Sequence, residues 1–279
     1  MILLLLALLS QDLPDLSTVP PDLTTPAMVD GEPAAGRRVK QTTAGWEGTA
    51  VHHALYLPRD WKPGGRYPLI VEYAGNGNYK NAFGDVSKGT VDGSNLGYGL
   101  SGGEGFLWVC MPYVAVTGAR KENAVTWWGD VEETKRYCRK TVASVCETYG
   151  GDPKKVVLAG FSRGAIGCNY LGLHDDEVAG LWCAFFTFSH YDGQMTHWGY
   201  AGVDRASALE RLKRLNGRPQ WISMEQSVDP IRKYVEASGV KGAFTFQTIP
   251  FRNHSDQWVL RDLPERKAAR EWLRKALAD

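Results

Sequence analysis

Residues 155–173 read KVVLAGFSRGAIGCNYLGL, and this stretch decides the fold. Its first half, Val156-Val-Leu-Ala159, is a β-branched and aliphatic run of the kind that fills a strand buried on both faces. The chain then meets Gly160-Phe-Ser-Arg-Gly164 and continues with small and apolar residues suited to a helix. Strand, turn and helix follow one another with no room for a loop. The spacing G-x-S-x-G fits such a turn: Ser162 is presented in the open, while the two glycines leave space for the adjoining strand and helix. The helix start also offers free backbone N–H groups and the positive end of its dipole beside the serine hydroxyl. An ordinary strand-to-helix turn that happens to contain serine is the competing reading.

The same alternation continues on both sides. AVHHALYLP (50–58) alternates like a half-buried strand, and YPLIVEYAG (67–75) and GFLWVCMPY (105–113) read as buried strands. Val131, Tyr137, Val142, Val145 and Tyr149 recur at roughly helical spacing, and Gly150-Gly151 stops that helix. LWCAFFTFS (181–189), PQWISME (219–225) and AFTFQTIP (243–250) are further strands. Between and after them, 205–217, 229–239 and 265–278 read as helices, the second opened by Asp229-Pro230 as N-cap and first residue. Buried strands alternating with amphipathic helices predict an α/β protein with a mostly parallel sheet covered on both faces.

Bulk properties narrow the function. The chain has 279 residues, 43% of them hydrophobic, enough for one sizeable core. Its 32 lysines and arginines against 31 acids give a net charge of +1, which supplies no basic surface for nucleic acid. Ile2–Leu9 is an apolar run too short to span a bilayer as a helix. It suits the core of a secretory signal peptide over residues 1–10, although no lysine or arginine precedes it. Export to the periplasm or the exterior is expected, without stable membrane insertion. Residues 11–36 carry five prolines and little apolar periodicity, so they predict a disordered linker ahead of a domain over 37–279. Cys138 and Cys146 fall on one helix about 12 Å apart, beyond the ~7 Å a disulfide spans. Of five cysteines at least one is left free.

The stretch YGGDPKKVVLAGFSRGA (149–165) resembles the nucleophile region of secreted α/β-hydrolase esterases, including the feruloyl-esterase and polyester-depolymerase-like groups. Outside the turn, over roughly residues 50 to 279, the similarity is one of element order. It implies the α/β-hydrolase fold, Ser162 as nucleophile, and partners in the chain order serine, acid, histidine. Histidine is the side chain poised to take a proton near neutral pH. Of His52, His53, His174, His190, His197 and His254, only His254 follows the last core strand, where the family carries its base. For the acid the resemblance favours Asp229, in an aspartate-proline pair, with Glu225 at the strand end and Asp192 in SHYDG as alternatives.

The resemblance also implies an oxyanion hole of two backbone N–H groups. Arg163, after the nucleophile, is one donor. The other lies in AGNGN (74–78), where Ala74 stands in place of the family's histidine; Asn76 is favoured and Gly77 is next. A Ser-Arg pair occurs in glucuronoyl esterases too, but the rest of that motif is absent, and the Arg163 side chain is expected to face outward. Glycine-rich 75–105 should form one wall of the pocket. Trp127 and Trp128, at the same end of the sheet, are candidates to stack on a sugar or aromatic group, or to be core. LHDDE (173–177) and SHYDGQMTH (189–197) match no metal motif and read as surface loops; neither metal nor cofactor is expected. The chemistry expected is ester hydrolysis through an acyl-enzyme, with an ester on a small molecule or polysaccharide as substrate. A peptidase with the same machinery and a non-catalytic binding scaffold are the alternatives.

Overall fold

The strand expected before Ser162 spans Gly151–Phe161 and lies inside a nine-stranded sheet. The computed structural model describes residues 13–278. In chain order, β1 (Met28–Val29), β2 (Arg38–Gln41), β3 (His53–Tyr56) and β4 (Tyr67–Tyr73) come first. A short ribbon of β5 (Tyr79–Lys80) and β6 (Val86–Ser87) leads to α1 (Leu96–Ser101) and β7 (Leu107–Met111). A second ribbon, β8 (Tyr113–Thr117) with β9 (Arg120–Ala124), precedes α2 (Val131–Tyr149), β10 (Gly151–Phe161) and α3 (Arg163–Tyr170). The chain closes with α4 (Asp176–Ala179), β11 (Ala184–Phe188), α5 (Arg205–Lys213), β12 (Pro219–Glu225), α6 (Asp229–Ala237), β13 (Ala243–Ile249) and α7 (Pro264–Ala276).

The sheet order is β1-β2-β3-β7-β4-β10-β11-β12-β13. From β7 to β13 every pairing is parallel, and β3 is antiparallel to both β2 and β7. Alternate residues of each strand feed two cores, because successive side chains leave a strand on opposite faces. Val71, Val109, Leu158, Phe185 and Ile222 share one core with Tyr137, Val142, Ile166, Leu212 and Ile231 of α2, α3, α5 and α6. Ile70, Trp108, Val157, Phe186 and Trp221 share the other with Leu96 and Leu100 of α1 and Ala269 and Leu273 of α7.

Helix ends follow local chemistry. Asp130 caps α2 by accepting from the Glu133 N–H, and Gly150 ends it at φ 79°, a left-handed conformation glycine adopts without cost. The helix after β4 lies on one face of the sheet and the helix after β10 on the other. The carboxyl ends of these neighbouring strands therefore diverge at a topological switch point, where open α/β sheets form their ligand crevice.

The segment expected to be a disordered linker is, from residue 13 on, part of the fold. Leu16 is buried, its N–H donates to Asn253 Oδ1 at 2.6 Å, and Asp22 and Leu23 both donate to the Leu260 carbonyl. Prolines suppress helical and strand periodicity but do not prevent a strap held by side chains elsewhere, and Arg252, Arg261 and Arg266 supply those partners. The leader expected over 1–10 lies outside the described residues. Among the described residues no helix is long and apolar enough to cross a membrane, and all five cysteines are unpaired.

Candidate active site

Ser162 stands between β10 and α3 with φ 54° and ψ −114°, a strained conformation for a residue carrying a Cβ. The turn closes because of its two glycines. A Cβ on Gly160 would lie 2.1 Å from the Gly164 carbonyl oxygen, and one on Gly164 would lie 1.9 Å from the Tyr73 carbonyl oxygen. The Ser162 N–H donates to the Phe188 carbonyl at 2.9 Å, tying the turn to β11.

His254 arrives five residues after β13. Its Nε2 lies 3.0 Å from Ser162 Oγ, so the structure brings these two side chains together. The ring sits between Tyr79 and Phe161, each with its centroid 4.9 Å away. Asp85 Oδ2 accepts from the His254 N–H at 2.9 Å, and Asp85 Oδ1 accepts from Asn253 Nδ2 at 2.9 Å. Residues of the glycine-rich 75–105 stretch thus wall and hold the histidine loop.

The favoured acid is corrected. Asp229 is the first residue of α6, exposed, with Arg232 Nε 3.8 Å away. Glu225 occupies the acid position instead: its Oε1 lies 2.7 Å from His254 Nδ1. The physical reason lies in the chain path. β12 carries Glu225 to the end of the sheet and into the interior, 7% exposed. Gln226 then turns at φ 64°, and by Asp229 the chain has entered a helix facing solvent. The longer glutamate side chain lets a residue still on the strand reach the imidazole. Asp192 is engaged elsewhere, buried against Arg211 with Nε 2.8 Å away.

The loop after β4 is fixed from four sides. Tyr113 Oη donates to the Ala74 carbonyl at 3.1 Å, and Arg163 Nη2 donates to the Gly75 carbonyl at 2.9 Å. Asn76 Oδ1 accepts from the Trp127 N–H at 2.8 Å, and the Gly77 N–H donates to the Val125 carbonyl at 2.7 Å. Gly77, the second choice for the oxyanion hole, therefore has its N–H occupied. The Asn76 and Arg163 N–H groups have no acceptor among the described residues.

The Arg163 side chain points inward, not outward. It is 1% exposed, lies over the Tyr113 ring at 3.8 Å, and donates to the carbonyls of Trp127, Gly75 and Gly89. Burial lowers its pKa from the usual guanidinium value, while Tyr113 beneath it opposes that shift. Trp128 is core: it is buried and stacked on Tyr170, so it is not a substrate contact. Trp127 is partly buried, at φ 49°, with Trp128, Trp198 and Tyr200 around its ring.

Two residues near the site were not singled out in the sequence. Ser189, after β11, has its Oγ 3.0 Å from Glu225 Oε1 and 2.8 Å from His254 Nδ1. His190, expected on a surface loop, has its ring 5.3 Å from that of His254. Burial, then the charge of His254, pushes His190 down to about 4, which keeps it neutral at pH 7. Their signal was position alone, at the carboxyl end of a central strand. Among the described residues no group of three or more His, Cys, Asp or Glu side chains is arranged around a common metal position. A cleft of about 330 Å³ opens beside His254, lined by Ala74 and Gly75, by Phe161, and by polar residues that include Ser87, Thr90, Asn95 and Gln257.

In sequence, no family model and no curated protein matches the chain. Solved structures do resemble it. An S-formylglutathione hydrolase from Agrobacterium tumefaciens superposes with TM-score 0.58 at 15% identity, over 88% of this chain and 99% of that one. Thermogutta terrifontis esterase 2, in a form phosphoramylated by tabun, gives 0.56 at 14% identity over 90% and 97%. AtxE2 isopeptidase gives 0.52 at 16% over 87% of this chain. The chain spans 62% of the length of a similar thermostable esterase and 40% of the isopeptidase. With the nine-stranded sheet and the switch-point turn, these likenesses define the class: the chain has the α/β-hydrolase fold.

Proposed function

We propose that the protein is a serine hydrolase that cleaves carboxylic esters through a covalent acyl-enzyme. One observation carries this reading: an unbroken relay from Ser162 Oγ through His254 to Glu225, 3.0 Å and 2.7 Å long. His254 Nε2 takes the serine proton as Oγ attacks the ester carbonyl, and Glu225 stabilises the imidazolium that forms. The carbonyl oxygen, now negative, is met by the Asn76 and Arg163 N–H groups. His254 then protonates the departing alcohol, and water activated by the same nitrogen releases the acid. The four-sided anchoring of the Asn76 loop supports a preorganised oxyanion hole.

The leaving alcohol must lie near His254 to collect its proton. The cleft beside His254 is lined largely by hydroxyl, amide and charged groups, which favours an alcohol that carries hydroxyls of its own. Carbohydrate-linked esters are the substrate class we infer, with Trp127 as the aromatic contact. The isopeptidase of similar fold is the reason to assay peptides beside them. We also read the chain as exported, from its apolar Ile2–Leu9 run; N-terminal sequencing of the mature protein tests this, and retention of Met1 is the contrary result.

Turnover of p-nitrophenyl acetate, then of acetylated, feruloylated and methyl-uronate sugars and short peptides, tests the reading. Sugar esters should give the highest kcat/KM and Ser162→Ala should abolish it. Peptide cleavage exceeding ester cleavage overturns the substrate class, and undiminished activity in Ser162→Ala overturns the mechanism.

A further inference from the structure

Ser189 follows β11 at φ 91°, a backbone conformation costly for any residue with a Cβ. It has no exposed surface, and its N–H donates to the Ser223 carbonyl at 2.9 Å. Ser189 Oγ, Glu225 Oε1 and His254 Nδ1 form a closed triangle with sides of 3.0, 2.8 and 2.7 Å.

Donor counting fixes the roles. If His254 Nε2 accepts from Ser162, Nδ1 carries the ring proton and cannot accept. The Ser189 hydroxyl therefore donates to Glu225 Oε1, while its oxygen shares the Nδ1 proton. Glu225 Oε2 is buried and has no partner among the described residues. The carboxylate thus rests on two donors, one of which is the histidine it serves.

We propose that Ser189 is a positioning residue that holds Glu225 Oε1 aimed at His254 Nδ1, making the relay one of four residues. The proposal rests on the acyl-transfer reading above. Ser189 acts through Glu225 and His254, so its loss should depress kcat and leave KM in place. Other titratable groups facing the pair are His190 and Tyr79, whose rings lie 5.3 and 4.9 Å from that of His254, and Asp85, which accepts from the His254 N–H. None of them is altered in the variants below.

The test is kcat and KM for p-nitrophenyl acetate for the wild type, Ser189→Ala, Ser189→Gly and Ser162→Ala. Both Ser189 variants lose the hydroxyl, but glycine also relieves the φ of 91°, so the pair separates loss of the hydroxyl from backbone strain, and circular dichroism checks that each folds. The expected result is a kcat lower by roughly tenfold or more in both, given the usual worth of a hydrogen bond to a charged group. KM should stay within about twofold, the split expected of a residue that acts through the relay without touching substrate. A wild-type kcat in either variant, or a KM that rises severalfold as kcat falls, overturns the proposal, as does a defect in alanine that glycine repairs. If Ser162→Ala is inactive while the Ser189 variants turn over like wild type, only the Ser189 role falls; an active Ser162→Ala removes the acyl-transfer reading itself.

Discussion

Glu225 and Asp229 are four residues apart and carry the same charge, yet one is 7% exposed against an imidazole and the other lies on a helix surface. That difference makes a sharp prediction. Glu225→Gln should lower kcat by roughly 10³-fold or more, by analogy with amide substitution of a triad acid, while Asp229→Asn should stay within about twofold of wild type. Steady-state kinetics on p-nitrophenyl acetate decides between them, and a reversed ranking would return the role to Asp229. The sequence held both candidates, and the resemblance put Asp229 first; no local pattern sets Glu225 above it. Asp229-Pro230 is equally good as the start of a helix, and the turn at Gln226 that parts the two residues leaves no pattern in hydrophobicity. Arg163 was misread for a similar reason. A cation at a helix start normally faces water, and only the three carbonyls and the Tyr113 ring waiting for it make burial tolerable.

Among elements, the strands were the most legible because they are buried on both faces and so read as continuous apolar runs. VVLAG, LWVCM and AFFTF all occupy the central sheet. The N-terminal strap was the least legible. Its contacts include backbone and side-chain hydrogen bonds to residues some 240 positions away, such as Leu23 N–H to Leu260, Leu16 N–H to Asn253 and Arg266 to Asp22, and no local periodicity encodes those. The strap reaches His254 through a short chain: Leu16 to Asn253, Asn253 to Asp85, and Asp85 to the His254 N–H. A variant that begins at residue 28 should therefore lose both stability and kcat, with the urea midpoint lowered and kcat down severalfold. Unchanged values in both would show that the histidine loop stands without the strap.

At the scale of the whole molecule, buried titratable groups set how stability responds to pH. Burial pushes His53 down to about 3 and His190 to about 4 from 6.5. The unfolded chain then binds more protons than the native one below pH 6.5, so these groups make stability fall as pH falls from 6.5 toward 3. Glu72 and Asp256, raised by burial to about 7 and about 6, act in the opposite sense and lose stability as pH rises through those values. Comparing variants isolates one contribution. Replacing the fully buried His53 by glutamine should flatten the acid-side loss by up to about 1.4 kcal/mol per pH unit. Urea midpoints between pH 6.5 and 4 measure this, and parallel curves for the two proteins would contradict it.

The fold brings the ends of β4, β10, β11, β12 and β13 to one rim, where a hydroxyl, an imidazole and a carboxylate line up. Intact-mass and peptide mapping after reaction with a fluorophosphonate tests that arrangement most directly. One adduct per chain is expected, on the peptide containing Ser162, lost in Ser162→Ala and greatly slowed in His254→Ala. An unmodified wild type, or an adduct that persists without the Ser162 hydroxyl, would contradict it.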